Sequence, residues 1–381
     1  MSQRAAVTII VALTIGAAVA LAQQGGSPSD AKPAAMKPTG GRGLTEVQGI
    51  KVGHHTLAER PTGCTVILVD GEGVPGGVSQ RGGAPGTRET DLLDPLNMVD
   101  KVNAVVLSGG SAYGLSAAAG TVQWLEERKM GWPVGAAGVV PIVPSAILFD
   151  LGFGGKPEVR PAPDCGYKAA AAATAGPVPE GNVGAGAGAT VGKMGGLVEH
   201  AGYPGGRRGP MKGGIGSYAI SLPNGLVVAA IVAVNSVGDI IDPDTGRVVA
   251  GARTEDGKGV ADVRKILRSG NVTATPRAGE NTTIGLVATN ARLSKTDVNR
   301  VALMADDGFA RAIYPSHTPG DGDTVFALAT GRWQGETSVA VVGALAADAM
   351  AEAIVRAVAK ADSLGGVPSA KELGTVPARI K

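Results

Sequence analysis

A predicted hairpin is the feature that most constrains the fold of this chain. Residues 216–222 and 226–234 are apolar runs, and Pro223-Asn-Gly225 separates them. An Asn-Gly pair between such runs is the strongest short-range signal for two antiparallel strands joined by a tight turn. This part of the chain is therefore predicted to form an antiparallel sheet.

Other strands and helices follow one another in mixed order, without strict β-α-β alternation and without a repeat of fixed length. The predicted strands cover residues 62–70, 103–107, 284–289 and 324–329, and the predicted helices cover residues 115–129, 167–174, 294–313 and 337–361. Because the chain has 60 glycines and only 3% aromatic residues, its core must be built from Val, Ile, Leu and Ala. We predict one α/β domain, a layered αββα sandwich of mostly antiparallel sheets covered by Ala-rich helices.

The first residues have the composition of a secretory signal. Arg4 supplies a positive start, residues 5–19 are apolar, and Ala20-Leu21-Ala22 resembles a cleavage site. Residues 23–42, rich in Gly, Ser, Pro and Lys, are predicted to be a disordered tether. We therefore expect a secreted or periplasmic protein with a signal peptide over residues 1–22 and no membrane attachment once that signal is removed.

Charge and nucleotide-binding motifs exclude several classes of function. A net charge of +2 with both signs interspersed gives no indication of a nucleic-acid partner. The Gly-rich residues 184–193 resemble nucleotide-binding loops, but Ala187, Ala189 and Met194 stand where those motifs need other residues.

Cysteine and histidine usage leaves one question open and argues against a metal. Cys64 and Cys165 can pair in an exported protein, but sequence cannot show their proximity, and two buried free thiols are at least as well supported. The spacing of the four histidines does not match a zinc site, so we predict no metal.

The junction at Asn281-Thr282-Thr283 carries the main chemical signal. A Gly/Pro/Arg-rich run ends there and the predicted strand 284–289 begins. If the chain is cut after Asn281, Thr282 gains a free α-amine beside its hydroxyl, which is a self-contained nucleophile and base. The alternative is an ordinary loop-to-strand transition with two β-prone threonines.

Five blocks in order make the chain resemble the P1 peptidase family. This family contains aminopeptidase/esterases that release D-amino acids, β-peptidyl aminopeptidases and nylon-oligomer hydrolases, all self-processing N-terminal-nucleophile enzymes. The matching blocks are residues 107–114, 188–193, 234–235, 281–283 and 321–330. The Asn-Thr-Thr and Asp-Gly-Asp motifs look most like the threonine branch, which includes the nylon-oligomer hydrolases.

The resemblance implies that the chain cuts itself. Thr282 would attack the carbonyl of Asn281, giving an α chain of residues 43–281 and a β chain of residues 282–381. Thr283 is the rival nucleophile. Residues 241–280 read as an exposed insertion that would become the end of the α chain.

The resemblance also implies the other catalytic residues. Lys193 would lie beside the nucleophile and lower the pKa of its amine. Asn235, at the end of an apolar strand, would donate to the oxyanion of the tetrahedral intermediate. Asp321 and Asp323 would hold the Thr282 amine and Lys193 by charge-assisted hydrogen bonds.

Three further residues are predicted to contact the substrate: Ser111, Tyr113 and Phe149. Some relatives carry a tyrosine near Phe149, so this chain lacks a hydroxyl there. Tyr113 can supply a polar group instead, although a half-buried structural tyrosine explains it equally well.

The predicted activity is hydrolysis of amide bonds in small peptides or amino-terminated oligoamides. The resemblance implies no cofactor and a homo-oligomer of αβ units. The alternatives are acyl transfer of the ornithine acetyltransferase kind, against which the export signal argues, and an uncleaved, non-catalytic secreted binding protein.

Overall fold

The computed structural model describes residues 41–194, 209–270 and 281–380. The predicted signal peptide, residues 1–22, and nearly all of the predicted tether, residues 23–42, lie outside the described residues.

The described residues form seventeen strands and six α-helices. The strands are β1 (Ile50–Thr56), β2 (Gly63–Val69), β3 (Gly76–Gln80), β4 (Thr87–Arg88), β5 (Ala104–Ser108), β6 (Trp132–Pro133), β7 (Val139–Val140), β8 (Ser145–Ile147), β9 (Thr190–Val191), β10 (Met211–Lys212), β11 (Gly214–Ser221), β12 (Val227–Asn235), β13 (Asp239–Ile241), β14 (Val248–Ala250), β15 (Thr282–Thr289), β16 (Ile313–Tyr314) and β17 (Thr324–Ala329). The helices are α1 (Ala117–Glu126), α2 (Pro163–Ala171), α3 (Val263–Arg268), α4 (Lys295–Ala305), α5 (Asp307–Ala312) and α6 (Val339–Lys360).

Two five-stranded sheets dominate the architecture. The first has the strand order β1-β2-β5-β8-β4, and the second has the order β11-β12-β15-β17-β3. Within them, β5 with β8 and β15 with β17 are parallel, and the remaining neighbours are antiparallel. The predicted hairpin is confirmed, because β11 and β12 pair antiparallel across the Pro-Asn-Gly turn. The fold is mixed α/β, with mostly antiparallel sheets as predicted.

Strand β12 is buried on both faces because its side chains alternate between two apolar clusters. Ala229, Ile231 and Ala233 lie in a cluster that also contains Ile67 and Leu107 of the first sheet. Residues of the opposite parity lie in a second cluster with helices α4, α5 and α6: Val228, Ala230, Val232 and Val234. A third cluster joins the other side of β2 and β5 to α1 and α2.

Glycine permits the closest approach of helix α6 to the second sheet. A Cβ built on Gly216 of β11 would lie 2.2 Å from the carbonyl oxygen of Ala353 and 2.4 Å from the backbone nitrogen of Ala357. Both atoms belong to the backbone of α6, so a side-chain rotation cannot relieve the contact. The glycine-rich, aromatic-poor composition thus allows a helix backbone to lie directly on a strand backbone.

A disulfide joins Cys64 of β2 to Cys165 of α2, with 6.2 Å between their Cα atoms. The sequence left this pairing open, and the structure shows the disulfide and not the alternative of two free thiols. Helix α2 packs on β1 and β2 in the third apolar cluster, which contains both cysteines. This packing brings together two residues that are 101 positions apart in the chain.

The prediction that residues 241–280 form an exposed insertion is wrong for part of residues 241–270, where several side chains are buried. Val249, Ala250 and Val263 are buried, and β14 pairs with β13. The buried carboxylate of Asp239 accepts hydrogen bonds from the backbone N–H groups of Ala252, at 2.7 Å, and of Val263, at 2.6 Å. These bonds attach the polar stretch to the body of the fold. Residues 271–280 lie outside the described residues.

Helix α4 begins with a capping box at Ser294 and Asp297. The Ser294 hydroxyl accepts the Asp297 N–H at 3.2 Å, and the Asp297 carboxylate accepts the Ser294 N–H at 3.1 Å.

Across residues 41–194, 209–270 and 281–380, none of the helices has the length and apolar character that crossing a bilayer requires.

Replacing Gly216 with alanine should lower the free energy of unfolding by about 2–3 kcal/mol, because its Cβ would push α6 away from β11. The matched control is Gly152→Ala, since nothing lies within 4 Å of a Cβ at that position. Chemical denaturation of both variants checks this. Equal stability of the two variants would contradict the close approach of helix and strand.

Candidate active site

The register of β12 against β15 places Asn235 directly opposite Thr282. Thr282 is the first residue of β15 and Asn235 is the last residue of β12, so both lie at one end of the second sheet. Both side chains are buried, with exposures of 3% for Thr282 and 0% for Asn235. Two of the predicted catalytic residues therefore meet as cross-strand neighbours.

The peptide carbonyl of Asn281 lies between two donors. Its oxygen accepts the backbone N–H of Gly322 at 3.1 Å and the hydroxyl of Thr282. A Cβ at Gly322 would lie 2.8 Å from Thr282 Oγ1, so a larger residue would crowd the hydroxyl. A donor aimed at a carbonyl oxygen stabilises the negative charge that develops there when the carbon is attacked.

Lys193 and Asn235 are directly bonded. The Lys193 Nζ donates to the side-chain oxygen of Asn235 and to its backbone carbonyl, at 2.9 Å each. The same side-chain oxygen accepts the backbone N–H of Thr190 at 3.0 Å, and Asn235 Nδ2 donates to the carbonyl of Phe149 at 2.8 Å. The lysine charge is thus fixed beside the strand end that carries Thr282.

The two predicted aspartates have different surroundings. Asp323 Oδ1 accepts the backbone N–H of Thr283 at 2.8 Å, which ties this carboxylate to the first residues of β15. Asp321 Oδ2 accepts the backbone N–H of Thr318 at 2.8 Å, while its buried Oδ1 has no hydrogen-bond partner among the described residues. Both residues are 2% exposed.

The carboxyl of Asp321 changes its protonation near pH 6. Burial and the negative charge of Asp323 together raise the pKa of Asp321 to about 6, against the hydrogen bonds from Thr318 and the charge of Lys193. The influence of Lys193 means that lysine and carboxyl interact electrostatically across the site.

The predicted substrate-contacting residues divide into two groups. Phe149 is joined to the site, since its carbonyl accepts the Asn235 amide. Ser111 has a φ of +55° and donates its N–H to Leu148 at 3.0 Å. Tyr113 is 58% exposed, and the Arg160 guanidinium lies 3.6 Å from its ring centroid. Among the described residues, neither Ser111 nor Tyr113 is hydrogen-bonded to Thr282, so their contact with substrate stays a prediction.

A buried ion pair that sequence reasoning missed holds these segments. Arg60 Nη2 lies 2.8 Å from Asp150 Oδ1, and both side chains are fully buried. Asp150 also accepts the hydroxyl of Thr62 at 2.6 Å and the backbone N–H of Gly110 at 2.9 Å. Because Asp150 follows Phe149 and Gly110 precedes Ser111, one carboxylate anchors both segments. The sequence signal, an isolated Arg and an isolated Asp, is too weak to find them.

His317 and the segment 81–84 were also missed. The Asp323 Oδ2 accepts the backbone N–H of His317 at 3.0 Å and lies 3.0 Å from the ring Nδ1 of the same residue. The backbone N–H groups of Arg81 and Ala84 donate to the carbonyls of Asp323, at 3.2 Å, and of Asp321, at 2.8 Å. The only sequence signal is the position of His317, a few residues before both aspartates.

The arrangement combines a buried hydroxyl, a polarised carbonyl, a fixed lysine, a side-chain amide and two carboxyls, which are the groups that acyl transfer needs. Within the part of the chain that the structure describes, no group of three His, Cys, Asp or Glu side chains is placed to hold a metal ion.

Comparison with known sequences assigns the chain to a peptidase family. The model of Peptidase family S58 matches residues 42–371. An uncharacterized aminopeptidase of Mycobacterium leprae is 43% identical over 357 residues, which cover 86% of this chain and 92% of the relative. A 6-aminohexanoate-oligomer endohydrolase of Paenarthrobacter ureafaciens is 32% identical over 351 residues, which cover 87% of this chain and 91% of that protein.

Comparison with solved structures identifies the fold. The L-aminopeptidase D-Ala-esterase/amidase of Ochrobactrum anthropi, described as a variant of the Ntn hydrolase fold, superposes with a TM-score of 0.63. The match has 21% identity and covers 89% of this chain and 94% of that one. The chain has the fold of the N-terminal-nucleophile hydrolases, and by the extent of these matches it belongs to peptidase family S58.

Proposed function

We propose that this chain is a self-processing N-terminal threonine hydrolase that cleaves amide bonds by an acyl-enzyme mechanism. The observation that carries the proposal is the junction itself. The buried hydroxyl of Thr282 contacts the carbonyl of Asn281, and Gly322 donates to the same oxygen. The proposal includes the αββα layering, which the three apolar clusters support.

The first reaction is on the chain itself. The Thr282 oxygen attacks the carbonyl carbon of Asn281, and the Gly322 N–H stabilises the resulting oxyanion. The proton of the hydroxyl is transferred to the Thr282 nitrogen as the C–N bond breaks, which leaves an ester between Asn281 and the Thr282 oxygen. Water hydrolyses this ester, which leaves a carboxylate on Asn281 and a free amine on Thr282.

The second reaction uses the new amine. A terminal amine has an unperturbed pKa of about 7.7–8.0, so a neutral fraction exists near pH 7 to take the hydroxyl proton of Thr282. Lys193 increases that neutral fraction by its charge. The ionised Asp321 holds the Thr282 amine and Lys193 in place. Asn235 lies opposite Thr282 in the β12–β15 ladder, and this position supports the proposal that its amide donates to the oxyanion, a contribution typically worth ~3–4 kcal/mol in other hydrolases.

The proposed substrates are small peptides or amino-terminated oligoamides. The support is that relatives covering most of this chain carry the names aminopeptidase and 6-aminohexanoate-oligomer endohydrolase. We further propose export through residues 1–22 and assembly into a homo-oligomer of αβ units. A panel of aminoacyl anilides, β-peptides and aminohexanoate oligomers tests the substrate class, and hydrolysis of none of them by the cut protein would refute it.

Replacing Thr282 with alanine should leave one full-length chain without activity, because the attacking oxygen is gone. Intact-mass measurement under denaturing conditions checks this, and wild type should give a fragment that starts at Thr282. Thr283→Ala is the matched control and should be cut normally. A cut at the same peptide bond in the Thr282 variant would rule out this nucleophile.

Activity of the cut enzyme should fall as the pH drops through about 6. Burial raises the pKa of Asp321 to about 6, so below that pH the carboxyl is neutral and cannot hold the Thr282 amine and Lys193. The measurement is kcat/KM against pH. Asp321→Asn should have low activity and lack this acid limb, and an unchanged limb in that variant would assign the limb to another group.

A further inference from the structure

His317 and Asp306 extend the site beyond Asp323, and the reaction proposed above does not use either of them. The His317 ring contacts Asp323 through Nδ1 at 3.0 Å, and its Nε2 lies 3.4 Å from Asp306 Oδ1. The side chains of Asp306 and Asp323 are 0% and 3% exposed, and that of His317 is 18% exposed. One imidazole thus lies between two buried carboxyls.

The surrounding elements hold the ring in this position. His317 has a φ of +55°, which turns its backbone N–H as well as its ring toward Asp323 Oδ2. The ring stacks on Phe309 of α5, with 5.8 Å between centroids and 18° between planes. On the far side, the Ser79 hydroxyl donates to Asp306 Oδ2 at 2.7 Å.

The charged groups that face His317 are Asp323, Asp306 and Arg81. Burial lowers the pKa of His317, but the hydrogen bond and charge of Asp323 and the charge of Asp306 outweigh this, against opposition from Arg81, and the pKa is raised. Arg81 is partly exposed and lies 3.4 Å from Asp306 Oδ2. The imidazole is therefore cationic over more of the pH range than an isolated histidine.

The carboxyls of Asp323 and Asp321 differ in the number of hydrogen-bond partners. Asp323 accepts the backbone N–H groups of Thr283 and His317 and also contacts the ring Nδ1 of His317. Asp321 accepts one, and its other oxygen has no partner among the described residues. Two neighbouring buried carboxyls cannot both be ionised without a nearby cation.

We propose that His317 is a positioning residue whose imidazolium, held between Asp306 and Asp323, fixes the Asp323 carboxyl against the junction and supports the negative charge of the Asp321–Asp323 pair. This inference rests on the proposed function, in which the ionised carboxyl of Asp321 holds the Thr282 amine and Lys193. Asp323 then stays bound to the Thr283 N–H and fixes the junction while Asp321 changes its charge.

The variant His317→Asn separates charge from hydrogen bonding. Asparagine tolerates a positive φ, and its Nδ2 can replace the ring Nδ1 as a donor to Asp323, but it carries no charge. His55→Asn is the matched control, since His55 lies on β1 of the other sheet.

The test is the pH dependence of kcat and KM for the cut enzyme. In His317→Asn we expect the acid limb to move to higher pH by about one unit, because the cation that favours ionisation of the pair is gone. The loss should lie in kcat and be recovered at higher pH. A limb that coincides with that of wild type, or an equal loss at every pH, would overturn the proposal.

A second measurement does not depend on activity. In the uncut Thr282→Ala chain, the imidazole signals of His317 should titrate above pH 6.5, and Asp306→Asn should move that titration to lower pH. Titration at or below 6.5, or no effect of Asp306→Asn, would refute the bridging imidazolium. If wild type neither cuts itself nor hydrolyses amides, the proposed function fails, whereas this titration still decides the arrangement of His317.

Discussion

The antiparallel ladder between β12 and β15 is the interaction on which the site depends. Its register sets Asn235 opposite Thr282, and a slip of β15 by one residue would turn the Thr282 side chain to the other face of the sheet. Burial of β12 on both faces prevents such a slip, because either apolar cluster would then receive the wrong side chains. Packing far from the junction thus determines which groups meet at Thr282.

Local patterns in the sequence were sufficient for the elements that carry the junction. The Pro-Asn-Gly turn, the β-branched run after Asn281 and the capping box at Ser294 each depend on neighbours within a few residues, and all three appear in the structure. The aspartates were found only because they match a family motif, since Asp-Gly-Asp alone is usually a turn.

Contacts between distant segments could not be read from the chain. The Cys64–Cys165 disulfide depends on α2 lying against β2, and no local pattern reports that. The Arg60–Asp150 pair joins residues 90 positions apart. The polar composition of residues 241–270 suggested exposure, but Asp239 satisfies two of its backbone N–H groups and allows Ala252 and Val263 to be buried.

The strand order β11-β12-β15-β17-β3 has a consequence for folding. A cut before Thr282 would leave β15 and β17 on one fragment, inserted between β12 and β3 of the other. Both cysteines would belong to the first fragment, so the disulfide would not link the two. The intact chain folds in a unimolecular reaction, but the separated fragments would have to associate and form two ladders at once. Cutting would therefore make refolding a bimolecular reaction, and the cut protein would persist through slow unfolding rather than through an ability to refold.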